Sequence, residues 1–455
     1  MFCKNFSDNF ESVIIKGENM IKTKEKLEKQ DILKLFESKP QSEHKIGLEY
    51  ERLPIFPKTF DTVGYNDGIC NFLKDFAKAE NWDYIIDDYN IIGLKQEHDT
   101  ITLEPGCQIE LSIKPQKTLF ELEKAINSIN NKMNPILNKY GISLLEYGVA
   151  PLSTHKNINL IPKRRYKVMA KYLWGILSDV MMRETAGIQG CFDFKNEEDA
   201  VRKFKIANKL SPFITAIFAN SPIRGGVETG YKSFRALSWL NTDNERCGFA
   251  CNLDEDFSFE KYVDNVAKSP IIFLNKNDKI INVNGKINFA EFMENGYENF
   301  DADIDDFMLH ANLYFPEVRL RNFIEIRNHD CNKSPLSVLA IYKGILYSKN
   351  SLNDIENLFK LFSDKDFNEL RYNVPKNALM SNIKGYFVGD IANEIIKIAE
   401  SGLRELGTGE EKFLEPIKEL THNNLCPADI IIRNWNGLWD KDLNKLVNYL
   451  NKSHY

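Results

Sequence analysis

Apolar and polar positions along this chain recur with two periods, and the change from one to the other marks its elements. Leu27, Ile32, Leu33, Leu35 and Phe36 return at helical spacing among charges, which predicts a helix over Lys22 to Glu37. At Lys45-Ile46-Gly47-Leu48-Glu49-Tyr50-Glu51 the period drops to two. Successive strand side chains face opposite ways, so Glu49 and Glu51 share one face while Leu48 and Tyr50 take the other. Gly64 to Phe76 reads as a helix and Asn81 to Leu94 as a strand pair. A second acid-bearing strand follows at Ile101-Thr102-Leu103-Glu104-Pro105-Gly106-Cys107-Gln108-Ile109-Glu110. A helix is expected from Leu119 to about Tyr140, with Thr118 as N-cap and Glu121 completing a capping box.

Ile142 to Ala150 and Ile188 to Phe194 have strand character, and Tyr166 to Met182 is helical. Glu197 to Asn220 reads as a helix broken near Ser211-Pro212. Arg224-Gly225-Gly226-Val227-Glu228-Thr229-Gly230 is a loop without the Gly-Lys-Ser/Thr of a phosphate cradle. From Ser334 onward the pattern is almost wholly helical. No regular βαβ alternation, internal repeat or low-complexity linker is present. The expected class is therefore α+β, a large and mostly antiparallel sheet with helices packed against it. One catalytic domain is expected over 22–455, its part 334–455 mostly helical, after a poorly ordered extension over 1–21. Met20 opens a cleaner Lys/Glu-rich pattern, so the residues before it read as dispensable.

At 455 residues, 43% hydrophobic and 27% charged, the chain has the composition of a soluble globular protein. A net charge of -6 argues against nucleic acid as the main partner. No run approaches the roughly 20 apolar residues of a membrane helix. Met1 to Lys26 lacks the apolar core of a signal peptide, so no membrane association and a cytoplasmic location are expected. The 8 cysteines are scattered without a Cys-x-x-Cys pair. Cys247 and Cys251 are spaced unlike a zinc site, so reduced thiols and no obligatory disulfide are expected. The expected assembly is a monomer or a homodimer.

Two acids on one face of a buried sheet repel each other and lose hydration unless a cation sits between them. Hard divalent cations that bridge phosphates are the usual occupants, which points to chemistry on ATP with magnesium. A third charged segment runs from Tyr314 to Arg327 and repeats Glu-x-Arg as Glu317/Arg319 and Glu325/Arg327. Val318, Leu320, Ile324 and Ile326 cover the opposite faces. A single such pair reads as a solvated surface ion pair. Three segments with the same charged-within-apolar pattern point to a site. Lys163-Arg164-Arg165-Tyr166-Lys167 reads as a solvated helix start. Ser233 to Trp239 and Asn241 to Arg246 bring Arg235 and Arg246 near a Trp, suited to carboxylates or phosphates.

In this order the segments resemble the plant and proteobacterial type of glutamate–cysteine ligase, over about Lys45 to Trp439. The matching stretches are Ile46 to Glu51, Leu103 to Ser112, Ile161-Pro162 with Arg165-Tyr166-Lys167, Phe218 to Pro222, and Phe315 to Leu320 through Glu325 and Arg327. The resemblance implies a fold similar to the catalytic sheet of glutamine synthetase. It implies an ATP-dependent ligase that forms γ-glutamyl phosphate and couples it to the amine of cysteine, giving γ-glutamylcysteine. Magnesium is then expected on Glu49, Glu51, Glu110 and Glu325, with Glu104, Arg165 and Arg235 as catalytic groups. Arg165, Arg235, Tyr166 and Trp239 are expected to bind substrate, and Gln189 and Asp193 to line the acceptor or metal side. Arg319, Arg327, Glu317 and Gln108 are expected at the nucleotide.

The chain also departs from the family. Gly187, Gly190 and Cys191 stand where Thr, Val and Asn are usual. Arg164 replaces a Gly, Glu184 an Arg, and Cys107 the second Gly of a Pro-Gly-Gly turn. The loop between Tyr172 and Met181 is about two residues short. Loss of side chains at Gly187 and Gly190 predicts an enlarged or reshaped pocket, which keeps another small amine or amino acid as the alternative acceptor. A third reading, a relative that only binds nucleotide, is disfavoured because every charged residue of the metal-binding segments is present.

Overall fold

The fold is built on a 9-stranded antiparallel sheet. The structure is a computed structural model and describes residues 26–37, 44–250, 252 and 256–451. The extension expected over 1–21, together with Cys3 and Cys251, lies outside the described residues. The strands are β1 (Ile46–Ile55), β2 (Asp83–Asp87), β3 (Asn90–Gln96), β4 (Asp99–Leu103), β5 (Ile109–Gln116), β6 (Ser143–Leu145), β7 (Gly187–Phe192), β8 (Val318–Leu320) and β9 (Ile324–Asp330). Their order is β8-β9-β7-β1-β5-β4-β3-β2, with β6 beside the far end of β1. The three acid-bearing segments, distant in sequence, thus lie within one stretch of the sheet, with β7 between β9 and β1.

One face of this sheet is apolar and covered. Leu48 and Tyr50 of β1, Ile188 of β7 and Ile324 and Ile326 of β9 are buried there. Helix α1 (Leu119–Lys139) packs on β5, α2 (Glu197–Ile217) on β9, and α3 (Pro335–Leu346) on β1 and β7. Every residue of α3 is buried, because α4 (Val388–Leu406) packs on its other side. Each large apolar side chain so covered contributes about 1.5–3 kcal/mol. Thr118 and Glu121 form the expected capping box at the start of α1.

Several local expectations are corrected. The first described helix is only Lys29–Leu33, continued by a 3₁₀ turn over Lys34–Phe36. Helix α2 runs unbroken through Pro212, because Leu210 to Ile217 are all buried and tertiary packing outweighs the lost backbone bond. The expected helix from Tyr166 to Met182 is two, Arg164–Tyr172 and Ser178–Glu184. Between them Gly175 lies against the Asn241 and Thr242 carbonyls, where an added Cβ would come within 2.0 Å of an oxygen. The Gly-rich loop is a small hairpin, Ile223–Arg224 with Val227–Glu228, turned by Gly225 and Gly226 at φ 61° and 75°. After Ser334 the chain is helical apart from 3₁₀ turns and a hairpin of Asn382–Ile383 with Tyr386–Phe387.

Candidate active site

The other face of the sheet carries the charges, and register explains how they meet. Glu51 of β1 pairs with Glu110 of β5, and Glu110 in turn with Thr102 of β4. Glu49 lies opposite Ser112 on one side and Gln189 of β7 on the other. Cross-strand partners point the same way, so Glu49, Glu51 and Glu110 form one patch, as the period-two pattern predicted. Glu110 accepts hydrogen bonds from Thr102 Oγ1 at 2.8 Å and Ser112 Oγ at 3.3 Å. Glu51 accepts from the Gly187 N–H at 2.5 Å and from Gln189 Nε2 at 2.9 Å. Gln189 Oε1 in turn accepts from Arg327 Nη1 at 2.6 Å. Gln189 is therefore a bridge from Arg327 to Glu51, with both ends of its amide engaged.

The carboxylates crowd one another electrostatically. Burial, reinforced by Glu325, pushes the Glu49 carboxyl up to about 7. Burial followed by the charges of Glu49, Glu104 and Glu51 raises Glu110 well above the carboxylate range. Burial and Glu51 raise Glu104, which stands 3.5 Å from the Tyr166 hydroxyl. Glu325 behaves oppositely. Burial alone would raise it, but Arg319, Arg327 and Arg321 outweigh burial and hold it well below the usual range. Its carboxylate is paired with Arg327, with Arg321 at 3.0 Å, and with Arg319 at 3.7 Å. As it stands, Glu325 is the counter-ion of three arginines rather than a vacant metal ligand.

Donors surround the acids. Arg235 is buried on the helix Phe234–Leu240, donates from Nη2 to the Arg327 carbonyl at 3.1 Å, and leaves Nε and Nη1 unpaired. The Arg165 Nε atom and the Trp239 indole nitrogen are likewise buried without a hydrogen-bond partner, while Arg319 Nε makes no hydrogen bond but faces Glu325 at 3.7 Å. Buried unpaired donors are uncommon in folded proteins, and several on one face are arranged for an anionic ligand. Arg165 packs over the ring of Tyr166, as Lys163 does. Burial and Arg165 push Lys163 down to about 7, opposed by the charges of Glu104, Glu110 and Asp87. Lys163, read from sequence as a solvated helix start, therefore belongs to the site. Beside Trp239 a cavity is lined by Arg327, Asn328, Glu317, Arg371 and Cys247.

Other expectations are corrected by these contacts. Gln108, expected at the nucleotide, accepts from the Gly106 N–H at 2.8 Å and donates to the Thr185 and Met182 carbonyls at 2.8 and 3.3 Å. Both ends of its amide are consumed by backbone. Asp193 lies four residues beyond Gln189, about 13 Å along an extended chain. There it accepts from the Lys45 N–H at 2.8 Å, at the far end of the sheet from Glu51. Glu317 pairs with Arg371 and Ser211, not with Arg319. Arg246 is also structural, bound to Asp243 at 3.0 Å and to the Tyr172 hydroxyl at 3.3 Å.

The predicted reshaping of the pocket is corrected too. Gly190 points to the covered face, where an added Cβ would meet Leu339 Cδ2 at 2.4 Å. Gly187 faces the charges, but the room it leaves is filled by the Arg235 guanidinium. Sequence reading missed Asp330, which holds Ser221 Oγ at 2.7 Å and Ser233 Oγ at 2.8 Å. Ser233 caps the helix that carries Arg235 and Trp239. Nothing in the local pattern around Asp330 announces this role, because its partners come from a segment about 100 residues earlier.

A model of glutamate–cysteine ligase family 2 matches residues 45–449. The chain belongs to that family. It is 32% identical to glutamate–cysteine ligase B, chloroplastic, of Oryza sativa subsp. japonica, over 95% of this chain and 89% of the relative. It is 31% identical to the chloroplastic glutamate–cysteine ligase of Nicotiana tabacum, over 95% and 84%. The crystal structure of a glutamate–cysteine ligase from Francisella tularensis in complex with AMP shares the fold. Its TM-score is 0.54 at 14% identity, over 92% of this chain and 91% of that one. The family resemblance and the α+β fold expected from sequence are thereby established. The cytoplasmic expectation is corrected, because the plant relatives are named as chloroplastic. Among the described residues no helix is long and apolar enough to cross a membrane.

Magnesium, the metal the family reading implies, is a hard cation that takes oxygen ligands, and carboxylates are what this face offers. Among the described residues no three His, Cys, Asp or Glu side chains converge as a closed cage. Carboxylate pairs that stop short of a cage suit a cation bound through one or two carboxylates, with substrate phosphates completing its shell. Burial first, and then the charge of neighbouring acids, raises Glu49, Glu104 and Glu110, and such a cation offsets both.

Proposed function

We propose that the charged face is where this ligase moves the γ-phosphoryl group of ATP onto the γ-carboxylate of glutamate and then lets the amine of cysteine displace phosphate, giving γ-glutamylcysteine. The observation that carries this reading is the pairing of a repelling carboxylate patch with unpaired guanidinium donors on one sheet face. Donor and acceptor of the phosphoryl group are both anions, so the reaction needs cations placed between and around them. One or two carboxylates drawn from Glu49, Glu51 and Glu110, with Glu104 at their edge, would hold Mg²⁺, which when bound neutralises phosphate charge and polarises the transferring group.

The protein's own groups do the rest. Arg235 offers Nε and Nη1, and Arg165 offers Nε, to the substrate carboxylates, while the Trp239 indole N–H donates beside them. Arg319 and Arg327 neutralise the nucleotide phosphates. Phosphates on those arginines would compete with Glu325 for them, and the carboxylate so released would be available as a further metal ligand. Gln189 holds the Glu51 carboxylate in place through a hydrogen bond at 2.9 Å. Fixed donors and carboxylates pre-organise the charge distribution of the transition state, where rate is gained.

Cysteine is the acceptor in this reading. The two glycines that suggested a wider acceptor pocket leave none, one lying in the core and the other under Arg235. The test is an acceptor screen with ATP, magnesium and glutamate, followed by phosphate release and mass detection of the product. Cysteine should give the largest kcat/KM among the standard amino acids and simple amines. Release that ignores cysteine and rises with another amine contradicts the assignment.

A further inference from the structure

Gly187 stands at a junction. Its N–H donates to Glu51 Oε2 at 2.5 Å, and its cross-strand partner on β9 is Asp330. An added Cβ would lie 2.3 Å from Arg235 Nη2, 2.6 Å from its Cζ and 2.9 Å from its Nε. The guanidinium therefore rests flat on the backbone of β7, in the volume where any other residue places its first carbon. Its other constraints come from the opposite side. Asp330 holds Ser233 and Ser221, and Ser221 Oγ accepts from the Arg235 backbone N–H at 3.2 Å. The helix is thus fixed from its N-terminus, and the guanidinium reaches the strand held there by one hydrogen bond, from Nη2 to the Arg327 carbonyl at 3.1 Å. Gly190 is the natural control, since its missing side chain makes room for Leu339, Phe192 and Ile326 in the core.

We propose that Gly187 is the positioning residue of the carboxylate subsite. Its absent side chain admits the Arg235 guanidinium to the sheet while its N–H orients the Glu51 carboxylate. One backbone position then sets the spacing between the anion-binding arginine and the metal-binding acid, and so how deeply glutamate seats. This rests on the glutamate–ATP reading above. Gly187 touches no substrate; it acts through Arg235 and Glu51. Near-attack geometry tolerates little displacement, so raising the guanidinium by a fraction of a methyl diameter weakens glutamate, while the Arg327 guanidinium, which Arg235 meets through the Arg327 carbonyl, keeps its own partners Gln189 and Glu325.

The test is a cycle of G187A, R235K and the double variant in the full chain, read by steady-state kinetics and thermal unfolding, with G190A alongside. G187A should raise the KM for glutamate at least tenfold with the KM for ATP within twofold. G190A should lower Tm and leave both KM values within twofold. The slimmer lysine leaves room for the added methyl, so G187A/R235K should match R235K alone in glutamate KM and Tm. If G187A does not fold, folding of the double variant supports the proposal, and failure of both overturns it. An unchanged glutamate KM in G187A, beside an active unmodified protein, or additive losses in the cycle, also overturn it. Absence of glutamate turnover by the unmodified protein refutes the functional reading instead, and the Tm cycle then still decides the contact between Gly187 and Arg235.

Discussion

The two faces of the central sheet are built from the same strands and obey opposite rules. On the covered face, Leu48, Tyr50, Ile188, Ile324 and Ile326 meet the buried helix α3, and each group is satisfied by its neighbours. On the other face, Glu49, Glu104 and Glu110 are held against their own repulsion, and arginine donors are left without partners. The first face is optimised for stability. The second stores unfavourable charge that substrates and metal relieve, which is the arrangement expected where binding energy is directed to a transition state.

Substitutions should separate the faces cleanly. Glu51→Gln should cut kcat on the order of a thousandfold, because it removes a preorganised charge from the reacting centre. Its Tm should stay the same or rise, since one member of a repelling set has gone. Leu48→Ala, one position from Glu49 and on the other face, should instead cost about 2–5 kcal/mol of stability while the folded fraction keeps its kcat. Measuring kcat and Tm for both variants checks the contrast, and a large Tm loss in Glu51→Gln would erase it.

Gln108 sharpens the comparison because it sits next to the acids in sequence but serves the scaffold. Gln108→Ala should lower stability by about 1–3 kcal/mol through three lost backbone contacts. The KM for ATP should not move. A raised KM for ATP with unchanged Tm would return Gln108 to the nucleotide.

The smallest expected effect is a pH dependence of metal stabilisation. Folding raises the Glu49 carboxyl from its ordinary value to about 7 and raises Glu110 and Glu104 as well. The folded state then binds more protons than the unfolded state between those limits, so metal-free stability falls as pH rises from about 4.5 toward and beyond 7. A cation that binds the ionised carboxylates reverses this loss. Magnesium should therefore raise Tm by about 2 °C more at pH 8 than at pH 5.5. Equal shifts at the two pH values would show that these acids do not carry the metal.

The charged face was legible in sequence wherever strand parity alone decides it. Glu49, Glu51 and Glu110 fall on one face because three neighbouring strands keep register. Parity fails where the backbone turns. Glu104 to Gln108 is a turn with Cys107 at φ 76°, so Gln108 does not follow Glu110. Partners supplied by remote helices were also hidden. Arg371, 54 residues beyond Glu317, took the carboxylate that local spacing had given to Arg319. From sequence, Gly187 and Gly190 read together as reshaping one pocket, although their odd spacing puts them on opposite faces of the strand. Only the packed structure shows that one makes room for Leu339 and the other for Arg235.

The central claim is that the charged face activates the glutamate γ-carboxylate by phosphorylation. Glutamate labelled with ¹⁸O in its γ-carboxylate, turned over with ATP, magnesium and cysteine, tests it directly by mass spectrometry of the released phosphate. The amine displaces the phosphate together with one former carboxylate oxygen, so one ¹⁸O per turnover should appear in inorganic phosphate. Product formed with unlabelled phosphate, or with pyrophosphate in its place, would contradict the account.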